Sequence, residues 1–295
     1  FIPTPSPQAS PSNMPMNATL FKNGRVYWDG RFQQGDLLVQ DGKIQAFGAV
    51  EAPDAQRVDL DGKLLIPGFM DIHTHGGDGV DVNGADKAGF CRIGRFFAAH
   101  GVTGWLCSIL TDTETQTLQS IAQARAAMAD PAGGARLLGI HLEGPFLSTQ
   151  YKGAMPEHLL RTGDPALFYK YQQAAQGAIR YMTVSPEVEG VVKMIAALRD
   201  HVAIAIGHSG ADYETACAAI DAGARACTHT FNAMGLFHQH RPGIMGAVLE
   251  RDVYCEAICD GRHLHPGSVR MLLACKGYDR VVAITDSIQA LSLIH

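Results

Sequence analysis

The sequence predicts an α/β fold: a (β/α)8 barrel of the TIM type, incomplete at its C-terminus, behind a small N-terminal β-sandwich unit. Three observations predict it. From Ile66 onward, short apolar runs alternate with polar and helical stretches until eight runs are complete. Most of those runs carry His, Glu or Asp at or just past their C-terminal ends. Ahead of them, β-rich runs are punctuated by Asn-Gly and Asp-Gly pairs.

Taken in order, residues 1–16 are rich in Pro and Ser, begin with Phe1, and have neither a basic start nor an apolar h-region. They are therefore no secretory signal. With Met14 or Met16 as the more natural start, the stretch reads as a disordered or non-native leader. Residues 17–65 form a small β domain written as TLFKNGRVYW, DLLVQDGKIQAFG and RVDLDGKLLIPG, an antiparallel unit with hairpins at the Asn-Gly and Asp-Gly pairs.

Residues 66–290 carry the barrel. Its expected strands are LLIPGFMDI, VTGWLCSI, RLLGIHLE, IRYMTVS, VAIAIGHS, RACTHTF, VYCEAICD and RVVAITD. Amphipathic stretches such as Thr113–Met128, Val188–Asp200, Asp212–Ala222 and Pro266–Lys276 lie between them. Apolar strands alternating with helices make a parallel sheet with helices on its faces. An open doubly wound sheet would place a glycine-rich phosphate loop after its first strand. His73-Thr74-His75-Gly76 stands there instead, which favours the closed barrel. Residues 291–295, LSLIH, follow abruptly and match a reading frame through a transposon-end adaptor, so they are expected to be an artefactual tail. The barrel accordingly reads as truncated, and an unfinished barrel would expose sheet edge and apolar surface.

Composition narrows the partners. At 295 residues and 46% hydrophobic, the chain can bury a sizeable core. A net charge of −5 offers no basic field for nucleic acid or an anionic membrane. No run approaches the roughly 20 apolar residues of a membrane span. Cys91, Cys107, Cys217, Cys227, Cys255, Cys259 and Cys275 are scattered and mostly in apolar runs, the pattern of buried reduced thiols and a cytoplasmic setting. Cys255 and Cys259 lack the close pairing of a zinc knuckle.

The chemistry sits at the strand ends. His73 and His75 follow the first strand, His141 and Glu143 the third, His208 the fifth, His229 the sixth, Asp260 and His263 the seventh, Asp286 the eighth. In a barrel these positions face one mouth, the C-terminal rim. Imidazoles and carboxylates gathered there suit zinc or iron(II) with room for water. His73 and His75, two residues apart, place both rings on the inward face. His141 is expected to point opposite to Glu143 and is read as structural.

The wording around these residues, PGFMDIHTHG, HLEGPF, IGHSGA, THTFNAM with a following RPG, DGRHLHP and AITDS, resembles the N-acetylglucosamine-6-phosphate deacetylases of the amidohydrolase superfamily. The resemblance runs from Ala18 to Ala290. It implies that Glu143, His208 and His229 hold a principal divalent metal, with His73, His75 and a bridging Glu143 able to hold a second. It further implies substrate contacts from Ala154, Asn232, Ala233 and the Asp260–His263 stretch, with Asp286 as the catalytic aspartate. The implied substrate is an amino sugar phosphate and the implied assembly a homodimer. Alternatives are the galactosamine epimer, an unphosphorylated sugar, or an inactive truncated fragment.

Two positions depart from the family. Met155 stands where a histidine usually follows the residue matching Ala154, so a donor to the oxyanion is missing, with His158 a candidate replacement. The family's phosphate-gripping arginine aligns with His240, and Arg241 lies one place later, so His238, His240, Arg241 and His263 are the candidate anion site.

Overall fold

The structure, a computed structural model, describes residues 18–129 and 133–290. The leader expected over 1–16 and the tail expected over 291–295 lie outside the described residues. The chain divides into two compact units between Pro67 and Gly68.

In the first unit the strands are β1 (Ala18–Lys22), β2 (Arg25–Trp28), β3 (Arg31–Gln34), β4 (Asp36–Gln40), β5 (Lys43–Gly48), β6 (Gln56–Asp59) and β7 (Leu64–Leu65). They form a four-stranded sheet in the order β5-β4-β1-β6 and a three-stranded sheet in the order β3-β2-β7. Trp28 of one sheet stacks on Phe47 of the other at 4.9 Å, above a small core of Leu20, Val26, Leu37 and Leu60. Asp29-Gly30 and Asp41-Gly42 have positive φ at both residues and close tight hairpins, as expected. Asn23-Gly24 and Asp61-Gly62 correct the sequence reading, because each carries the chain from one sheet to the other. The sheets are also mixed, since β1 with β6 and β2 with β7 run parallel.

The second unit contains the barrel strands β8 (Phe69–Asp71), β11 (Val102–Leu110), β12 (Arg136–Glu143), β13 (Ile179–Val184), β14 (Ala203–Ile206), β15 (Ala226–Cys227), β16 (Tyr254–Ile258) and β17 (Val281–Ile284). A two-stranded ribbon, β9 (Gly76–Gly77) with β10 (Val80–Asp81), follows β8. All seven strand pairings of the eight-stranded sheet are parallel. Between strands lie α1 (Lys87–Ala99), α2 (Glu114–Ala129), α3 (Pro165–Ala174), α4 (Val191–Leu198), α5 (Tyr213–Ala222), α6 (Gly243–Glu250) and α7 (Pro266–Lys276). Asp86, Asp164 and Asp212 cap α1, α3 and α5, each accepting from main-chain N–H groups of the first turn, a device worth about 1 kcal/mol.

Strands and helices meet over one continuous core that includes Phe90, Phe97, Trp105, Ile121, Phe168 and Met194. Inside the barrel the side chains rise in layers, as the two-residue period of a strand requires. Leu106, Tyr181, Ala205 and Ala226 form an apolar plug. Two residues further along three of those strands come Ser108, Thr183 and Thr228, a buried polar layer beneath the mouth.

Short strands at the rim differ from the longer runs expected. VAIAIGHS yields only Ala203–Ile206 and RACTHTF only Ala226–Cys227. The chain leaves the sheet before His208 and His229, which have φ of 48° and 27°. The first and eighth strands are joined at the rim. Asp286 N–H donates to the His73 carbonyl at 2.9 Å, and His75 N–H to the Ser287 carbonyl at 2.7 Å.

Candidate metal centre and active site

Glu143 ends β12 with its side chain buried among four imidazoles. Its Oε1 lies 3.1 Å from His208 Nε2 and 3.3 Å from the Nε2 atoms of His73 and His229. Its Oε2 lies 3.1 Å from His75 Nε2. Two triads result, His73–His75–Glu143 and Glu143–His208–His229, with Glu143 common to both. Asp286 completes the rim, its Oδ1 3.2 Å from His75 Nε2 and 3.5 Å from His73 Nε2.

The second nitrogen of each ring tells what the first can do. His75 Nδ1 faces the Ser108 carbonyl at 3.0 Å, His208 Nδ1 the Tyr151 carbonyl at 2.8 Å, and His73 Nδ1 the Glu256 carboxylate at 2.9 Å. Each partner only accepts, so in the neutral ring the hydrogen sits on Nδ1 and the Nε2 lone pair points into the cluster. His208 Nε2 and His229 Nε2 lie 2.9 Å apart, close enough to share a cation or a proton between them.

The electrostatics agree. Burial opposes charge on these rings, but the Glu143 carboxylate overrides it. His73 is held well above the usual imidazole range with help from Glu256, His75 is pushed up to about 9 with help from Asp286, and His208 is raised. Burial likewise raises Glu143, yet the charges of His73 and His75 bring it well below a normal carboxylate. For Asp286, burial is outweighed by the His75 hydrogen bond and the His73 charge, leaving it at about 2. A pocket that draws in protons this strongly suits a divalent cation, which replaces them with ligand bonds. The residues fit a metal.

Residues 64–292 match the Amidohydrolase family model. The chain belongs to the amidohydrolase family. This amidohydrolase is 35% identical over 269 residues to the N-acetylglucosamine-6-phosphate deacetylase of Bacillus subtilis, covering 88% of the chain and 68% of that protein. It is 34% identical over 267 residues to the N-acetylgalactosamine-6-phosphate deacetylase of Escherichia coli O157:H7, covering 89% and 69%. It superimposes with a TM-score of 0.85 and 33% identity on a mutant N-acetyl-D-glucosamine-6-phosphate deacetylase from Mycobacterium smegmatis solved with N-acetyl-D-glucosamine-6-phosphate, covering 93% and 71%. The chain is a metal-dependent hydrolase, and its family implies a divalent metal.

Around the centre, the structure places the remaining predicted residues unevenly. Gly153 carries the loop holding Ala154 so close to His208 that a Cβ would come within 3.1 Å of the ring. Asn232 donates to the His229 carbonyl, and the Ala233 carbonyl accepts from Ser209 N–H, so both stay beside the ligand strands. Positive φ at His229, Phe231, Ala233 and Asp286 concentrates backbone strain at this rim. His240 and Arg241 line a cavity of about 510 Å³ with Gly210, Tyr213 and Leu236. His263 pairs instead with Asp260, Nδ1 to Oδ2 at 2.7 Å. Met155 is buried, and His158 lies on an exposed single turn, Glu157–Leu159.

His141 corrects the sequence reading of its direction. Being two residues from Glu143, it shares the inward face, fully buried against His73 with ring centroids 4.6 Å apart. Its Nδ1 meets Ser108 Oγ and its Nε2 meets Thr183 Oγ1, both at 2.8 Å. Burial first, then the charge of His73, hold it well below the usual imidazole value. It stays neutral and supports the ligand layer from beneath. The cysteines also divide: Cys107, Cys227 and Cys255 are buried, Cys91 and Cys217 half-buried, Cys259 and Cys275 exposed, and all are free. Sequence reasoning missed Glu256, buried at the centre of β16. Its signal was an acid inside the apolar run VYCEAICD.

Proposed function

We propose that this amidohydrolase removes the acetyl group of N-acetyl-D-glucosamine 6-phosphate, releasing acetate and glucosamine 6-phosphate. The single observation that carries the reading is one buried carboxylate, Glu143, shared by two histidine pairs with Asp286 at their edge. The B. subtilis relative's name and the sugar phosphate bound by the M. smegmatis protein supply the substrate class. Glu143, His208 and His229 would hold the principal ion, zinc in preference to iron(II), and His73 with His75 and Glu143 a second. When bound, the cation supplies a water of lowered pKa and polarises the acetamide carbonyl.

The chain's own groups do the rest. Asp286 is ionised and partly open to the mouth, so it accepts the proton of the attacking water and returns it to the sugar nitrogen, which leaves poorly as an anion. Ala154, Asn232, Ala233 and the Asp260–His263 turn would orient the sugar ring. Arg241, with His238 and His240, would grip the phosphate, because a guanidinium binds it in two places. Exposed Leu236 and Phe237 beside this cavity support a homodimer. Seven free cysteines support a cytoplasmic setting, and among the described residues no helix is long and apolar enough to cross a membrane.

A second reading is the galactosamine epimer, favoured by the nearly equal identity to the E. coli protein. Acetate release from the two N-acetylhexosamine 6-phosphates and from free N-acetylglucosamine separates these readings. The glucosamine phosphate should be turned over fastest. The free sugar should lose at least about tenfold in kcat/KM, the weight of one charged hydrogen bond. Equal rates with and without phosphate would remove the phosphate grip.

A further inference from the structure

Glu143 and Asp286 leave a third acid in the barrel, Glu256, without a part in the chemistry. It is fully excluded from solvent, where an unpaired carboxylate costs several kcal/mol. Its Oε2 accepts from His73 Nδ1 at 2.9 Å and from the main-chain N–H of His229 at 3.0 Å. Its main-chain carbonyl accepts from Thr230 N–H at 2.9 Å. One oxygen therefore touches a histidine from each of the two triads.

We propose that Glu256 is a positioning residue for the metal centre, selecting the His73 ring orientation that turns Nε2 toward His75 and Glu143 and tying that triad to His229. The proposal rests on the metal reading of the previous subsection. The physical argument is one of acceptors. A neutral imidazole has one N–H, and only the other nitrogen can bind a cation. A carboxylate facing Nδ1 can only accept, so it keeps the hydrogen there. His75 and His208 obtain the same effect from main-chain carbonyls. His73 alone uses a charged side chain, which makes Nε2 a stronger donor and offsets added positive charge. Among the described residues His229 has no partner at Nδ1, so its place is fixed through its main chain, and Glu256 holds that main chain.

The test uses the full chain, stripped of metal and titrated with cobalt(II), as wild type, Glu256→Gln and Glu256→Leu. Visible absorption reads stoichiometry and affinity, and paramagnetically shifted ring N–H resonances report each bound histidine. Wild type should show a His73 ring N–H that exchanges slowly with D2O. Glu256→Gln keeps shape but can also present an amide donor to Nδ1. It should weaken the ion at His73 by about 10–100-fold and shift or broaden that resonance, with the Glu143–His208–His229 ion retained. Glu256→Leu should weaken both ions, since His229 N–H loses its acceptor. If that variant does not fold, Glu256→Gln alone decides. Cobalt bound without a His73 ring signal, or with signal and affinity unaltered in Glu256→Gln, overturns the role of Glu256. A wild-type chain that binds no cobalt overturns the metal reading itself and this role with it.

Discussion

Replacing Asp286 by asparagine changes one atom and removes one charge at the rim. The backbone there has φ of 49°, a left-handed conformation that asparagine tolerates better than most residues. Its N–H still donates to the His73 carbonyl, so the junction of the first and eighth strands survives. Asp286 lies outside both ligand triads, so metal content should be unchanged. What is lost is an acceptor, 3.2 Å from His75 Nε2, that can take a proton and give it back. Positioned proton transfer contributes about 10²–10⁴ in rate, or roughly 2.7–5.4 kcal/mol of barrier at 1.36 kcal/mol per decade. Steady-state acetate release from N-acetylglucosamine 6-phosphate should therefore show kcat falling by that factor, with KM moving by only a few fold. A variant within tenfold of wild type would refute Asp286 as the proton shuttle.

Three further outcomes are expected. His141→Leu leaves the hydroxyls of Ser108 and Thr183 short of a partner, so it should cost about 1–3 kcal/mol in denaturant unfolding while metal content is kept. Loss of metal with no loss of stability would show His141 to be a ligand instead. Phe90→Ala empties a site against Trp105 and should cost about 3–5 kcal/mol by the same measurement; a cost under about 1 kcal/mol would contradict its core placement. A thiol reagent at pH 8 should modify Cys259 and Cys275 first and spare Cys107, whose thiol burial pushes up to about 12. Rapid labelling of Cys107 in the folded chain would contradict its burial.

Much of the architecture was legible because its signals are local. Apolar runs broken by helical periods give parallel strands, and an acid or imidazole at the end of a run falls on the rim whatever the exact strand length. That places Glu143, His208, His229, His73 and His75 on one rim, and the resemblance to the deacetylases divides them into two ligand sets. Two-residue parity, applied to His141 and Glu143, also puts the ring and the carboxylate on one face, where both meet His73. Other features depend on distant pairing. Asn23-Gly24 and Asp29-Gly30 read alike, yet only the second closes a hairpin, because sheet membership is decided by which strands later return. Glu256 takes its role from His73, 183 residues away in the chain, and no spacing rule connects them. Asp260 and His263, which the resemblance assigns to the sugar, lie three residues apart on one turn and pair with each other.

Anomalous diffraction at the zinc edge, from crystals of the zinc-loaded chain, tests the shared-carboxylate centre most directly. A peak ligated together by Glu143, His208 Nε2 and His229 Nε2 is expected. Zinc bound only through other side chains, or no peak among these three, would contradict it.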